Sequence, residues 1–160
     1  MDTILYGMPG AADAQPEASS GDHPIVREVG AAEAGQVQSL YVDGFEFPPG
    51  DRDFARGYLP RQVDNPNNHM FVAELDGAPV AMGLLWVHDR IAYLAGGATL
   101  RAQRNRGCQT ALLHHGSAVA AAMGCELLVS RTGVSTGSQH NMERLGLRLA
   151  GQILHWAPPP

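Results

Sequence analysis

The chain has 160 residues, of which 44% are hydrophobic, and a formal net charge of −5, so it is long enough to build one globular domain with a sizeable core. All 11 basic residues are arginines, and the acidic balance disfavours a nucleic-acid surface, which normally needs a net basic face. Residues 1–22 lack the basic and apolar parts of a signal peptide, and no run approaches the roughly 20 apolar residues of a membrane span. With only two cysteines, these features predict a cytoplasmic protein with free thiols and no membrane partner.

The N-terminal third begins with a segment of low complexity and then becomes regular. Residues 1–22 are rich in Gly, Ala, Pro, Ser and Asp, and we expect a flexible tail there because little apolar surface is available to offset the entropy of ordering. An ordered domain is expected over residues 23–160. It starts with a strand at Pro24–Val29 and a helix at Ala31–Gly44, and Asp51 caps a second helix that runs to about Val63.

Three strands in quick succession are predicted in the middle of the chain, at His69–Leu75, Pro79–Val87 and Arg90–Leu100. The short links Asp76-Gly77 and His88-Asp89 predict an antiparallel meander, since Asp-Gly is among the best two-residue hairpin turns.

The last third alternates helix and strand. The Ala-rich and Leu-rich segment Thr110–Met123 is typical of a helix, Gly124 stands where a helix ends, and Cys125–Ser130 is a further strand. A short helix follows at Ser138–Leu145, for which Ser138 is the expected N-cap, and Leu147–Trp156 supplies one or two final strands.

A phosphate-binding loop is predicted between the third strand of the meander and the long helix. The sequence there is Arg104-Asn-Arg106-Gly107-Cys108-Gln109. The first N–H groups of a helix lack intrahelical partners and carry partial positive charge, Gly107 allows close approach of the backbone, and the two arginines add formal charge. The competing interpretation is a surface turn with two solvated arginines.

The order of these elements, together with two motifs, resembles the GCN5-related N-acetyltransferase (GNAT) superfamily. Its signature is Arg or Gln, two residues, Gly, one residue, then Gly or Ala, and the loop from Arg104 to Gln109 matches five of these six positions, Gln109 being the exception. The pair Gly146-Leu147 stands where the family has Gly-Phe. The resemblance implies an α/β (α+β) fold with a mostly antiparallel sheet of six to seven strands flanked by about four helices.

The resemblance also implies acetyl-CoA as co-substrate and no metal. In such enzymes the fourth and fifth strands, here Arg90–Leu100 and Cys125–Ser130, separate to admit the pantetheine arm. Gly96-Gly97 indicates either close backbone approach or a bulge, and Gln109 implies a wider loop or an amide that reaches a phosphate. The residues expected to bind the cofactor are Ala98, Thr99, Leu100, Arg104, Asn105, Arg106, Gly107, Cys108, Gln109, Thr110 and Asn141.

Catalytic groups are harder to assign by resemblance. The position of the usual glutamate base falls near Tyr93, whose phenol is either a poor base or a satisfied core group, and the usual tyrosine acid falls near Met142. His140 is the other candidate, as a proton relay or as an ordinary surface histidine. Cys108 lies beside a helix N-terminus and two arginines, which lower a thiol pKa, so a covalent mechanism is an alternative.

The acceptor is expected to be a small-molecule or peptide amine bound by the irregular region between Tyr41 and Asn68. Phe45, Glu46 and Phe47, with Asp51 and Asp53, would suit a cationic amine, or be core and solvated groups. Two other interpretations stay open, a catalytically silent acyl-CoA-binding module and an α/β domain without a CoA site. A homodimer rests only on the general frequency of dimers.

Overall fold

A computed structural model of the chain describes residues 1–10, 23–59, 62 and 65–156. Its centre is a seven-stranded sheet in the order β2-β3-β4-β5-β6-β1-β7. The strands are β1 (Asp2–Gly7), β2 (Ile25–Val29), β3 (Asn68–Leu75), β4 (Ala78–His88), β5 (Ile91–Thr99), β6 (Leu127–Gly133) and β7 (Arg148–Ile153). All neighbouring pairs are antiparallel except β5 and β6. The expected mostly antiparallel sheet is therefore confirmed.

The N-terminal strand is the main departure from the sequence-based expectation. β1 lies between β6 and β7 and pairs antiparallel with both, so the expectation of a flexible tail is wrong for residues 2–7. The side chains of Thr3 and Leu5 are buried, at 1% and 0% exposure. Contacts with the core therefore hold the strand in place, and the local sequence pattern did not indicate them. Residues 11–22 lie outside the described residues.

The meander is confirmed, with strand ends within two residues of the prediction. In the link between β3 and β4, Asp76 and Gly77 both have positive φ, 52° and 75°, which is the geometry of a type I′ hairpin turn. Between β4 and β5, Met82 pairs with Ala98 and Leu84 with Ala95. Gly96-Gly97 thus forms a β-bulge opposite a single residue, one of the two expectations for this pair.

Helices cover the sheet on both faces. Those of the described residues are α1 (Ala34–Gly44), α2 (Arg52–Arg56), α3 (Cys108–Ala122) and α4 (Gly137–Arg144), with single 3₁₀ turns at Ala31–Glu33, Pro49–Asp51 and Arg101–Gln103. The second helix is much shorter than the predicted span to Val63, and Gly57 is its C-cap residue. Residues 60, 61 and 63 of that span lie outside the described residues.

Two apolar clusters hold the layers together. One joins the sheet to α3 and includes Phe71, Leu85 and Leu128, and the other joins it to α1 and includes Val37 and Met82. Because side chains alternate between faces along a strand, the central strands β3, β4 and β5 contribute to both clusters. Among the described residues, no helix has the length and apolar character needed to cross a membrane.

Candidate active site

The parallel pair β5 and β6 separates part-way along its length. Pairing runs from Ile91 with Leu127 to Leu94 with Ser130 and stops there, after which β5 continues along β4 and β6 continues along β1. Each strand therefore has an edge toward the gap that pairs with no other strand of the described residues, a row of N–H and C=O groups able to bind an extended ligand as a further strand would.

The loop that follows β5 opens the N-terminus of α3 toward solvent. Asn105 and Gly107 have positive φ, 65° and 79°, and the first helical bond runs from the Ala111 N–H to the Gly107 carbonyl at 2.9 Å. The N-cap residue is Gly107, which has no side chain that could cap the helix. The N–H groups of residues 108–110 thus have no acceptor within the helix, and together with the helix dipole they favour an anion there.

A cavity of about 400 Å³ lies against this helix end. Eight of the eleven predicted cofactor-binding residues line it: Thr99, Arg104, Asn105, Gly107, Cys108, Gln109, Thr110 and Asn141. Ala98 lines an adjoining cavity together with Gly44 and Phe45. Leu100 packs instead on the apolar cluster beneath α1, and Arg106 donates to Gln103 Oε1 at 2.6 Å.

The side chain of Arg104 binds protein groups rather than projecting freely into the cavity. Its Nη2 donates to the Gly44 carbonyl at 2.9 Å and to Glu46 Oε2 at 2.8 Å, and its Nε donates to the Thr99 carbonyl at 3.3 Å. Arg101 reaches the other oxygen of Glu46 at 3.2 Å. Hydrogen bonds from Arg104, and to a lesser extent the charge of the two arginines, lower the pKa of the Glu46 carboxyl.

Gln109 links the two helices that border the cavity. Its Nε2 donates to Ser138 Oγ at 2.8 Å, and its Oε1 accepts from Asn141 Nδ2 at 2.6 Å, while Arg144 donates to Asn141 Oδ1. The amide therefore lies in a side-chain network, an outcome different from both expectations for this position. The N-cap of α4 is also different from the prediction: Thr136 Oγ1 accepts from the Gln139 N–H at 3.2 Å, because α4 starts one residue before Ser138.

A second cavity, of about 280 Å³, occupies the gap between β5 and β6. Gln109 and Ser138 line both this cavity and the first one, so the two spaces adjoin. Its lining includes Met142 and the β-bulge glycines but no carboxylate and no imidazole of the described residues. The described part of the cleft thus provides binding surfaces and no evident general base.

Neither predicted catalytic residue lies at these cavities. Tyr93 pairs with Trp86 and Val129 across the sheet and shares a strand face with Ala95, but Ala95 lines the second cavity and Tyr93 does not. His140 is exposed on α4 and lines neither cavity. A catalytic role for either residue has no support from the geometry.

Both thiols are buried, and burial raises the pKa of each. Cys108 is 2% exposed, and desolvation raises the pKa of its thiol against the smaller opposing effect of Arg106. The expectation of a lowered thiol pKa at this helix N-terminus is therefore wrong. Burial also raises the pKa of Cys125, and both cysteines are free. Among the described ranges, no group of three His, Cys, Asp or Glu side chains is placed to hold a metal ion.

Aromatic side chains form a cluster where α1 leads toward α2. The ring of Tyr41 lies 5.0 Å from that of Phe45, 5.4 Å from that of Phe47 and 5.6 Å from that of Tyr58, between centroids. Phe45 is 45% exposed and lines the cleft. Of the aromatic and acidic residues expected to bind an acceptor, Phe45 is the one placed at the cleft, whereas Asp53 pairs with Arg56 on the surface.

Several lining residues were missed by the sequence reasoning. Gly137 and Arg144 border the first cavity, and Ser130 lies where the two strands separate. Arg144 follows Asn141 at helical spacing, a signal that was available in the sequence. Ser130 carried no such signal, because its position depends on where strand pairing stops.

Comparison with known proteins agrees with this geometry. The sequence model of the acetyltransferase (GNAT) family matches residues 35–147, which is most of the chain. The chain belongs to the GNAT family. No curated protein matches the sequence.

Solved structures share the GNAT fold at low identity. A GCN5-related N-acetyltransferase from Kribbella flavida aligns with TM-score 0.65 and 21% identity, over 92% of this chain and 53% of that chain. The aminoglycoside N-acetyltransferase AAC(6')-Iy in complex with CoA aligns with TM-score 0.69 and 17% identity, over 88% and 98%. An aminoglycoside acetyltransferase from an uncultured soil metagenomic sample, in complex with sisomicin, aligns with TM-score 0.63 and 15% identity, over 86% and 96%.

Identities at this level show the fold alone. The chain spans only 46% to 61% of the length of four such relatives, the Kribbella protein included. The GNAT chain therefore corresponds to about half of those proteins, and their complete activities do not transfer to it.

Proposed function

We propose that this GNAT chain transfers an acetyl group from acetyl-CoA to the primary amine of a small molecule or peptide. The observation that supports the proposal most is that two cavities adjoin, one at the N-terminus of α3 and one between the separated edges of β5 and β6, with Gln109 and Ser138 lining both. A charged phosphate end and an extended, amide-containing arm are the two parts of a ligand that such a pair of spaces suits.

The backbone N–H groups at the N-terminus of α3 are suitable donors for the phosphate end of acetyl-CoA. The N–H groups at residues 108–110 would bind pyrophosphate oxygens, and Gly107 leaves room because, among the described residues, a Cβ there would meet only Pro24, at 4.0 Å. Arg104 would act indirectly, by holding the loop through Thr99 and Gly44. Backbone groups of Ala98 and Thr99 would pair with the pantetheine arm.

Chemistry would proceed by direct attack. The amine nitrogen forms a bond to the acetyl carbonyl carbon, the carbon–sulfur bond breaks with its electron pair going to sulfur, and the proton lost by nitrogen reaches the sulfur through water. A water relay accounts for a cleft whose described lining holds no carboxylate and no imidazole. The chain's contribution would then be binding, orientation and exclusion of bulk water.

A second candidate function is an acyl-CoA-binding module without catalysis. Met142, 6% exposed and lining the cleft, favours it, since a thioether cannot protonate the departing sulfur.

Thiol release from acetyl-CoA across a panel of amines separates the two functions. We expect amine-dependent release of one thiol per acetylated amine. Saturable acetyl-CoA binding with no thiol release from any amine would favour the binding module, and no binding at all would leave an α/β domain without a CoA site. A cytoplasmic location stays a prediction.

A further inference from the structure

The cleft between β5 and β6 has two chemically different ends. Toward the N-terminus of α3 it is lined by polar side chains, Gln109 and Ser138, and by the free edges of the two strands. Its other end lies beneath α3 and is lined by apolar side chains, which we name the inner pocket: Phe71, Leu94, Leu112, Leu113 and Met142.

The inner pocket belongs to the protein core. Its five side chains are between 1% and 7% exposed and all lie in the apolar cluster that joins the sheet to α3. The nearby Ser130 hydroxyl donates to the Leu94 carbonyl at 2.9 Å, so this polar group is already satisfied. An amide of the pantetheine arm would gain no hydrogen bond from these five side chains, whereas an apolar chain would lose contact with water at no polar cost.

A glycine keeps one wall of the inner pocket open. Gly83 on β4 faces α3, and a Cβ built on it would lie 3.6 Å from Leu112 Cδ2 and no closer to other atoms. A methyl group therefore fits there without displacing its neighbours, and its absence leaves space in the cleft. Met142 adds adaptability, because an unbranched thioether fills irregular gaps in several conformations.

We infer that the inner pocket binds the acyl group of the donor and favours straight chains longer than acetyl, propanoyl and butanoyl in particular. The inference rests on the proposed acyl-CoA-dependent transfer. An acetyl group offers a single methyl to five apolar side chains, while each further methylene adds apolar contact. The expected gain in kcat/KM is roughly fourfold for each added methylene that the pocket buries.

The test is a donor series of acetyl-CoA, propanoyl-CoA, butanoyl-CoA and hexanoyl-CoA with one saturating amine that the chain accepts. Thiol release gives kcat/KM for each donor, and a calorimetric titration gives the affinity of each donor without turnover. The predicted order is butanoyl above propanoyl above acetyl, in both measurements.

Gly83→Ala and Gly83→Val narrow the pocket in two steps. Both should lower kcat/KM for butanoyl-CoA more than that for acetyl-CoA, so that the ratio of the two values falls by about tenfold or more. Gly151→Val is the matched control, since Gly151 is also a strand glycine and, in the part of the chain that the structure describes, a Cβ added to it would meet nothing within 4 Å beyond its chain neighbours. It should keep the wild-type order of donors. Thermal unfolding of each variant verifies that it folds.

The outcomes are distinct. Wild-type preference for acetyl-CoA would overturn the inference and leave the proposed function standing. Loss of butanoyl preference in Gly151→Val as well as in Gly83→Ala would also overturn it. If no donor is turned over with any amine, the proposed transfer fails, and the titrations then decide: tighter binding of butanoyl-CoA supports the inner pocket, and equal or weaker binding overturns it.

Discussion

The carboxylate of Glu46 accepts a hydrogen bond from the guanidinium of Arg104 at 2.8 Å, which joins the segment after α1 to the loop before α3. Arg104 also holds the Gly44 carbonyl, and Gly44 lies so close to β5 that a Cβ would come within 2.9 Å of the Ala98 side chain. These hydrogen bonds connect the aromatic segment at Phe45 to the proposed phosphate site. A substitution that removes the Glu46–Arg104 ion pair should therefore weaken binding of both the acceptor amine and acyl-CoA.

Glu46→Gln tests whether the Glu46–Arg104 ion pair connects the two sites. The amide keeps the shape of the side chain but loses the charge that pairs with Arg104 and Arg101, and solvent screens such exposed ion pairs, so the expected effect is small. We expect KM for both acetyl-CoA and the amine to rise roughly two- to fivefold, measured by thiol release. Asp53→Asn, which breaks a surface pair with Arg56, should change neither. A rise in KM for only one substrate, or an equal rise in Asp53→Asn, would show that the Glu46–Arg104 ion pair does not connect the two sites.

The same carboxylate gives a pH dependence with a definite sign. Since Arg104 lowers the pKa of Glu46 in the folded chain, its contribution is complete above its unfolded pKa and is lost as pH falls through the lower folded pKa. Stability of the wild type should fall more steeply with acid than that of Glu46→Gln. Thermal unfolding between about pH 6 and pH 3 measures the difference, and parallel curves would show that the pairing adds nothing.

Leu5→Ala tests the N-terminal strand. Leu5 is 0% exposed between β6 and β7, and truncation of a buried leucine costs about 2–5 kcal/mol. Chemical denaturation should report a loss in that range. Ile4→Ala, one residue earlier on the opposite face of β1, should cost clearly less. Equal small losses in both would mean that β1 is not part of the folded core.

His115 gives a second pH-dependent test. Its ring lies 4.9 Å from that of Phe71 in edge-to-face contact, and burial lowers its pKa. The unfolded chain therefore binds this proton more readily, so stability should decline as pH falls through the unfolded pKa of about 6.5. His115→Gln should flatten the decline between about pH 7 and pH 5. His140→Gln, at an exposed position, should retain it, and a retained decline in His115→Gln would refute the assignment.

The meander and the loop before α3 could be predicted because their signals are local. Asp76-Gly77 sets its own turn, and the glycine and arginine spacing of the loop is a contiguous motif. Strand β1 could not be predicted, because its six residues precede a low-complexity segment. They are buried by strands that are distant in the sequence, as the pairing of Leu5 with Ser130 shows. Gln109 was misjudged for a similar reason: its bonds go to Ser138 and Asn141 on another helix.

Calorimetric titration with acetyl-CoA shows whether acyl-CoA binds at the N-terminus of α3. Gly107→Glu places negative charge where phosphate is expected, and Gly124→Glu is the matched control, because the two glycines have nearly the same positive φ, 79° and 76°, at opposite ends of α3. We predict saturable binding of one acetyl-CoA per wild-type chain, binding weakened at least about tenfold in Gly107→Glu, and near wild-type binding in Gly124→Glu. No binding by the wild type, or equal binding by all three chains, would mean that acyl-CoA does not bind at this end of α3.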